Sequence, residues 1–550
     1  MEPDLHPAAR LYAREHLDGA LSRREFLARA TSLGLTAAAA YGLIGLAAPT
    51  PARAQEEPQT GGTLRIQSDV RALKDPRTYD WPQMSNFSRG WLEYLVEYQR
   101  DGSIAPMLLE SWEVNEDATR YTLRLREGVT WNDGDPFTAA DVAYNIRRWC
   151  EQNVEGNSMA ARVSSLIDPE TGEAREGAIE VADDLTVVLN LETPDITLIA
   201  GFSDYPAPIV KEGASGDPME NPVGTGPYLP EELTVGVKAV LVRNEGYDWW
   251  GTEVFGGPYL DRVEYIDYGT DQAAHFAAAE AGEVDMVYES LGEFVDLMDT
   301  IGWTKSEVVT ANTLVIRTNQ QAEIEGMRPY EDARVRRALA MAVDNAVCLE
   351  LGYADRGVPA ENHHVCPIHP EYAELPPPVF DPAQAIELLQ EAGMAEFEHE
   401  LISIDDNWRR NTSDAVAAQL RDAGIPVRRT ILPGATFWND WTGYPFSTTD
   451  WAQRPLGVQV LALAYRSGEA WNETGFANDE FDAALTEALA IADADERREV
   501  SARLQTIMQE EGVVIQPYWR STFRHYRPGV IGAEQHPTFE IHVYQLGLAA

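Results

Sequence analysis

Trp438, Trp441, Tyr444, Phe446 and Trp451 fall within fourteen residues, broken by Gly443 and Pro445 and followed by Pro455. Aromatic side chains at helical spacing are usually core. In a segment so rich in turn residues they suit the wall of a ligand cleft as well as they suit a packed core. Asp450, beside Trp451, sets a carboxylate against that wall, an arrangement suited to a cationic ligand group. The competing reading is a solvated loop aspartate, one of 89 acids. A second cluster, His363-His364-Val365-Cys366-Pro367-Ile368-His369, puts three imidazoles and a thiol inside seven residues. His363, His364 and His369 are weak metal-ligand candidates, because their spacing matches no standard zinc pattern and Pro367 and Pro370 mark a loop. A hydrogen-bonded loop is the alternative.

Signatures of catalysis and of cofactor binding are missing. The chain has no Gly-x-x-x-x-Gly-Lys-Ser/Thr phosphate loop, no Gly-x-Ser-x-Gly elbow, no His-Glu-x-x-His and no Cys-x-x-Cys, so neither an enzyme nor a cofactor is expected. Gly224-Thr225-Gly226-Pro227-Tyr228 is glycine-rich, but Pro227 removes a donor and no helix pattern follows, which favours a structural turn over a phosphate cradle.

The 550 residues are 44% hydrophobic and 24% charged, enough to bury a large core in two or three domains. Lys and Arg number 43 against 89 acids, a net charge of −46, which argues against nucleic acid and anionic membrane surfaces as partners. Three cysteines, Cys150, Cys348 and Cys366, permit at most one disulfide; Cys348 and Cys366 are the pair to consider in an oxidising compartment.

The amino terminus gives that compartment. Ser22-Arg23-Arg24-Glu25-Phe26-Leu27 precedes a charge-free stretch from Ala30 to Ala48 and then Ala52-Arg53-Ala54. Basic pair, weakly apolar segment and small-x-small site form a twin-arginine export signal over residues 1–54, cleaved near Ala54. A membrane anchor needs about 20 strongly apolar residues, and this stretch is mostly Ala, Gly, Leu and Thr. The expected location is the periplasm, where ATP is absent.

The elements that must position these residues alternate between strand and helix. Gly61–Ile66 reads as an opening strand; Trp112–Val114 and Tyr121–Arg126 alternate as a half-buried hairpin around Asn115-Glu116-Asp117. Thr138 and Asp141 form a capping-box start for a helix through Trp149. Further helices are expected over 271–281, 332–347, from Pro382 to Gly393, 412–422, 479–489 and 494–509. Strands are expected over 284–288, 312–318, 401–404, 427–432 and 513–518. Strand, helix and strand over 401–432 imply a parallel pair.

Ordered blocks of this sequence resemble the solute-binding proteins of peptide and nickel ABC importers. The most specific stretch is Ser111-Trp112-Glu113-Val114, Tyr121-Thr122-Leu123-Arg124-Leu125-Arg126-Glu127-Gly128-Val129 and Trp131-Asn132-Asp133-Gly134-Asp135-Pro136-Phe137-Thr138-Ala139-Ala140-Asp141-Val142. Asn221–Tyr228, Arg243-Asn244, Tyr247–Trp250, Gly282–Asp285 and Val335–Leu339 support it. The resemblance implies an α/β, two-lobed periplasmic-binding-protein fold of type II, enlarged by an extra subdomain and hinged between lobes. Lobe one would hold residues 55–308, with the subdomain inserted at about 101–205. Lobe two would hold 309–514, and 515–550 would return to lobe one. It also implies closure around a small solute, a peptide first, by a monomer that delivers to ABC permease subunits with an associated ATPase. A nickel chelate, an opine or an oligosaccharide is the alternative solute, and an exported enzyme the alternative of another class.

Peptide-binding members of that family pair an aspartate late in lobe two with the peptide ammonium. Thr449-Asp450-Trp451 resembles that segment, with one extra residue before Pro455. Dipeptide binders place a carboxylate-binding arginine where an ungapped reading puts Ser403; Arg409 and Arg410 lie six and seven residues on. Either arginine facing the cleft would hold a short peptide's carboxylate. The ligand-binding candidates are thus Asp450, Trp451, Trp438, Trp441, Tyr444, Arg409 and Arg410.

Overall fold

Strand Thr63–Gln67 buries Leu64 and Ile66 and pairs in parallel with Arg262–Ile266 on one side and Met286–Val287 on the other. The computed structural model describes residues 7–17, 21, 23–44, 58–115, 118–491 and 493–549. Antiparallel strands Tyr228–Thr234 and Lys238–Arg243 widen this first half of the sheet. In the second half, His399–Ile404 pairs in parallel with Val427–Leu432 and with Phe446–Trp451. The helix between the first two, Asn407–Asp422, supplies the crossover that a parallel pair requires.

Two strands cross between the halves. Thr304–Thr318 runs antiparallel to Tyr518–Tyr526, with Thr304 opposite Tyr526, Thr313 opposite Trp519, and a register break between Val309 and Thr313. Tyr526 also reaches Met286 of the first half, while Thr313–Thr318 pairs with Phe446–Trp451 of the second. One twisted sheet therefore threads both lobes through a two-strand waist.

All nine residues of Tyr518–Tyr526 are buried, polar ones included, because both faces of the strand are covered. Arg520 pairs with Glu289 at 3.0 Å, Arg524 donates to the Tyr288 carbonyl, and His525 bonds Ser290. A buried charge is tolerated only with such partners. The sequence predicts a last strand over 513–518; Val514–Ile515 is a short strand and the long one starts at Tyr518.

A four-stranded antiparallel sheet, in the order Leu109–Val114, Arg120–Leu125, Thr186–Asn190 and Ile179–Asp183, carries its own core between Tyr94 and Ile209. Helix Ala139–Trp149 closes it with Val142, Ile146 and Trp149, each burial contributing about 1.5–3 kcal/mol. The Asp141 carboxylate accepts from the Thr138 amide at 2.9 Å, which is the reciprocal half of the capping box. The segment 332–347 is two helices, Ala333–Met341 and Asn345–Tyr353, because the Asp344 side chain caps the second by accepting from the Ala346 amide.

Cys348 and Cys366 do not form the disulfide considered above. Each is a buried thiol in a different apolar cluster, Cys348 beside Leu349 and Trp408, Cys366 beside Ala311 and Trp519. The charge-free stretch near the amino terminus is interrupted: helices Arg23–Ser32 and Ala37–Leu43 flank Gly34, whose φ of +91° suits glycine. Phe26, Leu27 and Leu33 share a cluster with Ala118 and Ile196. No helix among the described residues is long and apolar enough to cross a membrane. The Ala52-Arg53-Ala54 site lies outside the described residues.

Candidate functional site

In open α/β sheets a ligand sits beyond the carboxyl ends of parallel strands. Here four such ends converge. Asp69 and Arg71 follow Thr63–Gln67, Tyr288 and Glu289 follow Met286–Val287, Ile404 ends His399–Ile404, and Asp450 with Trp451 ends Phe446–Trp451. Together with Arg520 of the waist they bound a cavity of about 820 Å³, mouth included.

Arg409 enters from the first turn of helix Asn407–Asp422. The Asp406 side chain caps that helix by accepting from the Arg409 amide at 2.9 Å, and its carboxylate also pairs with the Arg409 guanidinium. The other edge of the guanidinium meets Asp450, with Nη2 at 2.7 Å and Nε at 2.9 Å from Oδ1. Burial would lower the Arg409 pKa, but Asp406 and Asp450 outweigh it and raise it. Burial raises the pKa of Asp406 despite Arg409, and that of Glu289 despite Arg520.

Four carboxylates and four guanidiniums line the cavity. Besides the Arg409 and Asp450 pair, Arg71 meets Asp69 at 3.2 Å, Arg520 meets Glu289, and Lys74 meets Asp80 at 3.2 Å. Arg454 shares Asp204 with Arg162, at 2.7 and 2.5 Å. Burial alone would raise the Asp204 pKa; the two arginines overturn that and lower it. A chain of net charge −46 thus builds a cavity whose lining is balanced.

The aromatic wall comes from distant segments. Trp81 immediately precedes helix Pro82–Ser88 and meets Trp438 across the cavity, ring centroids 4.1 Å apart, with Trp441 at 6.5 Å. Arg317, fully buried, holds the loop behind them by donating to the Tyr444 carbonyl at 2.5 Å and to the Trp441 carbonyl. It pairs with Glu473 at 2.8 Å, and Glu473 in turn accepts from Trp451 Nε1 at 2.8 Å. One buried ion pair therefore fixes the orientation of two wall residues. The halves also meet where the Thr270 hydroxyl donates to the Asp405 carbonyl at 2.9 Å.

Of the seven residues expected from the sequence, Asp450, Trp451, Trp438, Trp441 and Arg409 line this cavity, and Tyr444 and Arg410 stand outside it. The Tyr444 ring stacks on Phe437 at 5.2 Å, and Arg410 pairs with Asp405 at 3.1 Å on the surface. Ser403 is buried in its strand, where its hydroxyl accepts from Arg429 at 2.8 Å. Trp81, Tyr205, Tyr288, Glu289, Arg520 and Phe539 were not expected; they come from loops, strand ends and the waist, and only the fold brings them together.

The histidine cluster does not converge. His363 bonds Glu361 at 3.0 Å, His364 bonds the Tyr465 hydroxyl at 2.7 Å, and His369 accepts from the Cys366 amide at 3.0 Å. These are the bonds of a buried loop, and none of the three lines the cavity. The Gly224 to Tyr228 segment is the expected turn: a Cβ on Gly224 would lie 1.8 Å from the Trp91 carbonyl oxygen.

Comparison with known proteins agrees with this fold. The profile of bacterial extracellular solute-binding proteins, family 5 Middle, matches residues 103–472. A probable peptide ABC transporter periplasmic-binding protein, y4tO, of Sinorhizobium fredii is 26% identical over 531 residues, covering 88% of this chain and 92% of that one. Heme-binding protein A of Haemophilus influenzae is 24% identical over 80% of this chain and 84% of its own. Among solved structures, Haemophilus influenzae OppA in complex with the peptide RPPGFSPFR superposes with a TM-score of 0.79 at 20% identity, covering 90% of this chain and all of that one.

Proposed function

The chain belongs to the bacterial extracellular solute-binding proteins, family 5, and on that premise we propose that it is the periplasmic receptor of an ABC importer, capturing a di- or oligopeptide or a peptide-like amine between its two lobes. The observation that carries this reading is the Arg409 and Asp450 pair at the carboxyl ends of the parallel strands, in a cavity with four charges of each sign. A zwitterion can exchange with such a pair at little cost. Its ammonium takes Asp450, its carboxylate takes Arg409, and Asp406 keeps the guanidinium in place. Both ions of the protein remain paired throughout, so no buried charge is left uncompensated. The tilted ring contact between Trp81 and Trp438, and the bond from Thr270 to Asp405, then hold the lobes over the guest. Hinge closure of this kind is a known class of domain movement.

The work of import falls to a membrane permease and its ATPase, since this chain carries no phosphate loop. It acts as an exported monomer without catalysis. Ser22 to Leu27 supports the twin-arginine route, with cleavage near Ala54. Five tryptophans on the cavity wall, Trp81, Trp438, Trp441, Trp451 and Trp471, favour a second reading in the same fold, a planar or ring-bearing guest such as an opine, a chelate or an oligosaccharide.

Mass spectrometry of the solute released by denaturing gently purified protein tests the proposal. The expected result is an intact small molecule bearing both an amine and a carboxylate. A chemically altered product points to an enzyme, and a neutral sugar or a metal chelate overturns the peptide reading. So does an unchanged melting temperature across peptide libraries.

A further inference from the structure

Away from the solute cavity, the returning tail gathers His536, Glu540 and His542 so that one ligand atom of each lies within 4.8 Å of the others. His536 is 3% exposed and Glu540 5%, and the His542 side chain is 8% exposed. Each imidazole already has an outer partner. His536 Nε2 lies 3.0 Å from the Tyr98 carbonyl oxygen, leaving Nδ1 turned inward. His542 Nδ1 faces the Glu97 carboxylate at 3.9 Å, leaving Nε2 turned to Glu540 at 2.9 Å. A carbonyl or carboxylate behind the far nitrogen is the support that orients metal-binding histidines.

We propose that His536, Glu540 and His542 form a site for a borderline divalent transition metal, zinc first, separate from the solute cavity. Two imidazoles and one carboxylate are a zinc ligand set with a position left open. All three residues line a surface cavity together with Gln99, Arg100, Asp101, Ser103 and Gln545, from which water can complete the coordination. Glu97 and Glu540 oppose one guanidinium, Arg89, at 3.7 and 2.9 Å, so two negative charges face one fixed positive charge before any cation arrives. The Thr538 amide and hydroxyl now meet His536 Nδ1 at 3.2 and 2.8 Å, the hydroxyl reaching Glu540 Oε1 at 3.1 Å as well, and both contacts give way when the ion binds. Tetrahedral zinc holds nitrogen and oxygen ligands about 3.4 Å apart, a contraction within reach of imidazole rotation.

The placement gives the ion a structural task. Phe539, between His536 and Glu540, turns the other way into the solute cavity and stacks on Tyr288 at 5.5 Å, with φ of +63°, unfavourable for a bulky residue. A metal on the reverse of this short segment braces the residue that forms part of the solute wall.

Titration of the chelator-treated full-length chain with zinc chloride, followed calorimetrically, tests the site. One equivalent binding at micromolar concentration or tighter is expected, lost in His542→Ala and Glu540→Gln and kept in a His363→Ala, His369→Ala double variant. Glu97→Gln should weaken binding roughly tenfold to a hundredfold. No zinc uptake by the wild-type chain, or uptake unchanged in the His542 and Glu540 variants, overturns the proposal. Zinc-edge anomalous diffraction from wild-type crystals soaked in zinc is independent of variant folding: a peak among the three side chains supports the site, and its absence there refutes it.

Discussion

Asp450→Asn isolates the ammonium partner from the rest of the cavity. The side chain is 17% exposed, as is that of Arg409, so the pair is neither fully desolvated nor freely hydrated. In the solute-free variant Arg409 keeps Asp406, which limits the loss of folding stability to about 1 kcal/mol, the worth of an ordinary hydrogen bond. In the complex nothing replaces Asp450, because the other cavity carboxylates already pair with Arg71, Lys74 and Arg520. Breaking a fully buried ion pair costs about 3–5 kcal/mol. Discounted for partial exposure, about 2–3 kcal/mol remains, a loss of affinity of roughly 30- to 150-fold. Isothermal titration of wild type and variant with the solute recovered from the purified protein measures it, with denaturant melts as the control for folding. An affinity within threefold of wild type, or a collapse of stability by several kcal/mol, would refute the reasoning.

Asp204→Asn should destabilise the chain by about 3–5 kcal/mol, since it strands Arg162 and Arg454 in a buried site; a urea midpoint shift worth less than 1 kcal/mol contradicts this. Trp438→Ala removes the ring contact with Trp81, worth about 0.5–1.5 kcal/mol beyond buried area, so solute should leave several-fold faster, and stopped-flow release at the wild-type rate argues against lid closure by this pair. Burial pushes the Glu93 carboxyl up to about 8, although Trp249 and Trp250 donate to it at 2.9 and 2.7 Å. The folded chain therefore holds this proton where the unfolded chain has lost it, and stability contributed by Glu93 is lost as pH rises from about 4.5 to 8. Glu93→Gln should flatten that fall in a melting profile against pH; an unchanged slope assigns it to other groups.

Local chemistry made part of this legible in the sequence. Thr138 with Asp141, Asp381 with Pro382, and the alternation around Trp112 and Tyr121 act within a few residues, and the elements form where that chemistry puts them. The aromatic run from Trp438 to Trp451 and Asp450 were visible as candidates for the same reason. Other features depend on partners far along the chain. The strand Tyr518–Tyr526 hides its identity behind Arg520, Arg524 and His525, polar residues made tolerable by Glu289, Tyr288 and Ser290. Arg317 and Glu473, 156 positions apart, orient the wall from beneath, and no spacing rule links them. The pairing of Arg409 with Asp450 likewise follows from strand order rather than sequence distance. Asp344 carries a local signal of the opposite sense to its surroundings: the apolar period runs straight across it, while its side chain caps a second helix.

The central claim is that two lobes joined at a two-strand waist enclose a guest. Small-angle X-ray scattering of the full chain, stripped of solute and then resupplied with it, addresses this most directly. The account predicts a larger radius of gyration without solute and a return to the smaller value with it. The same radius in both states, at solute concentrations shown by calorimetry to saturate the site, would contradict it.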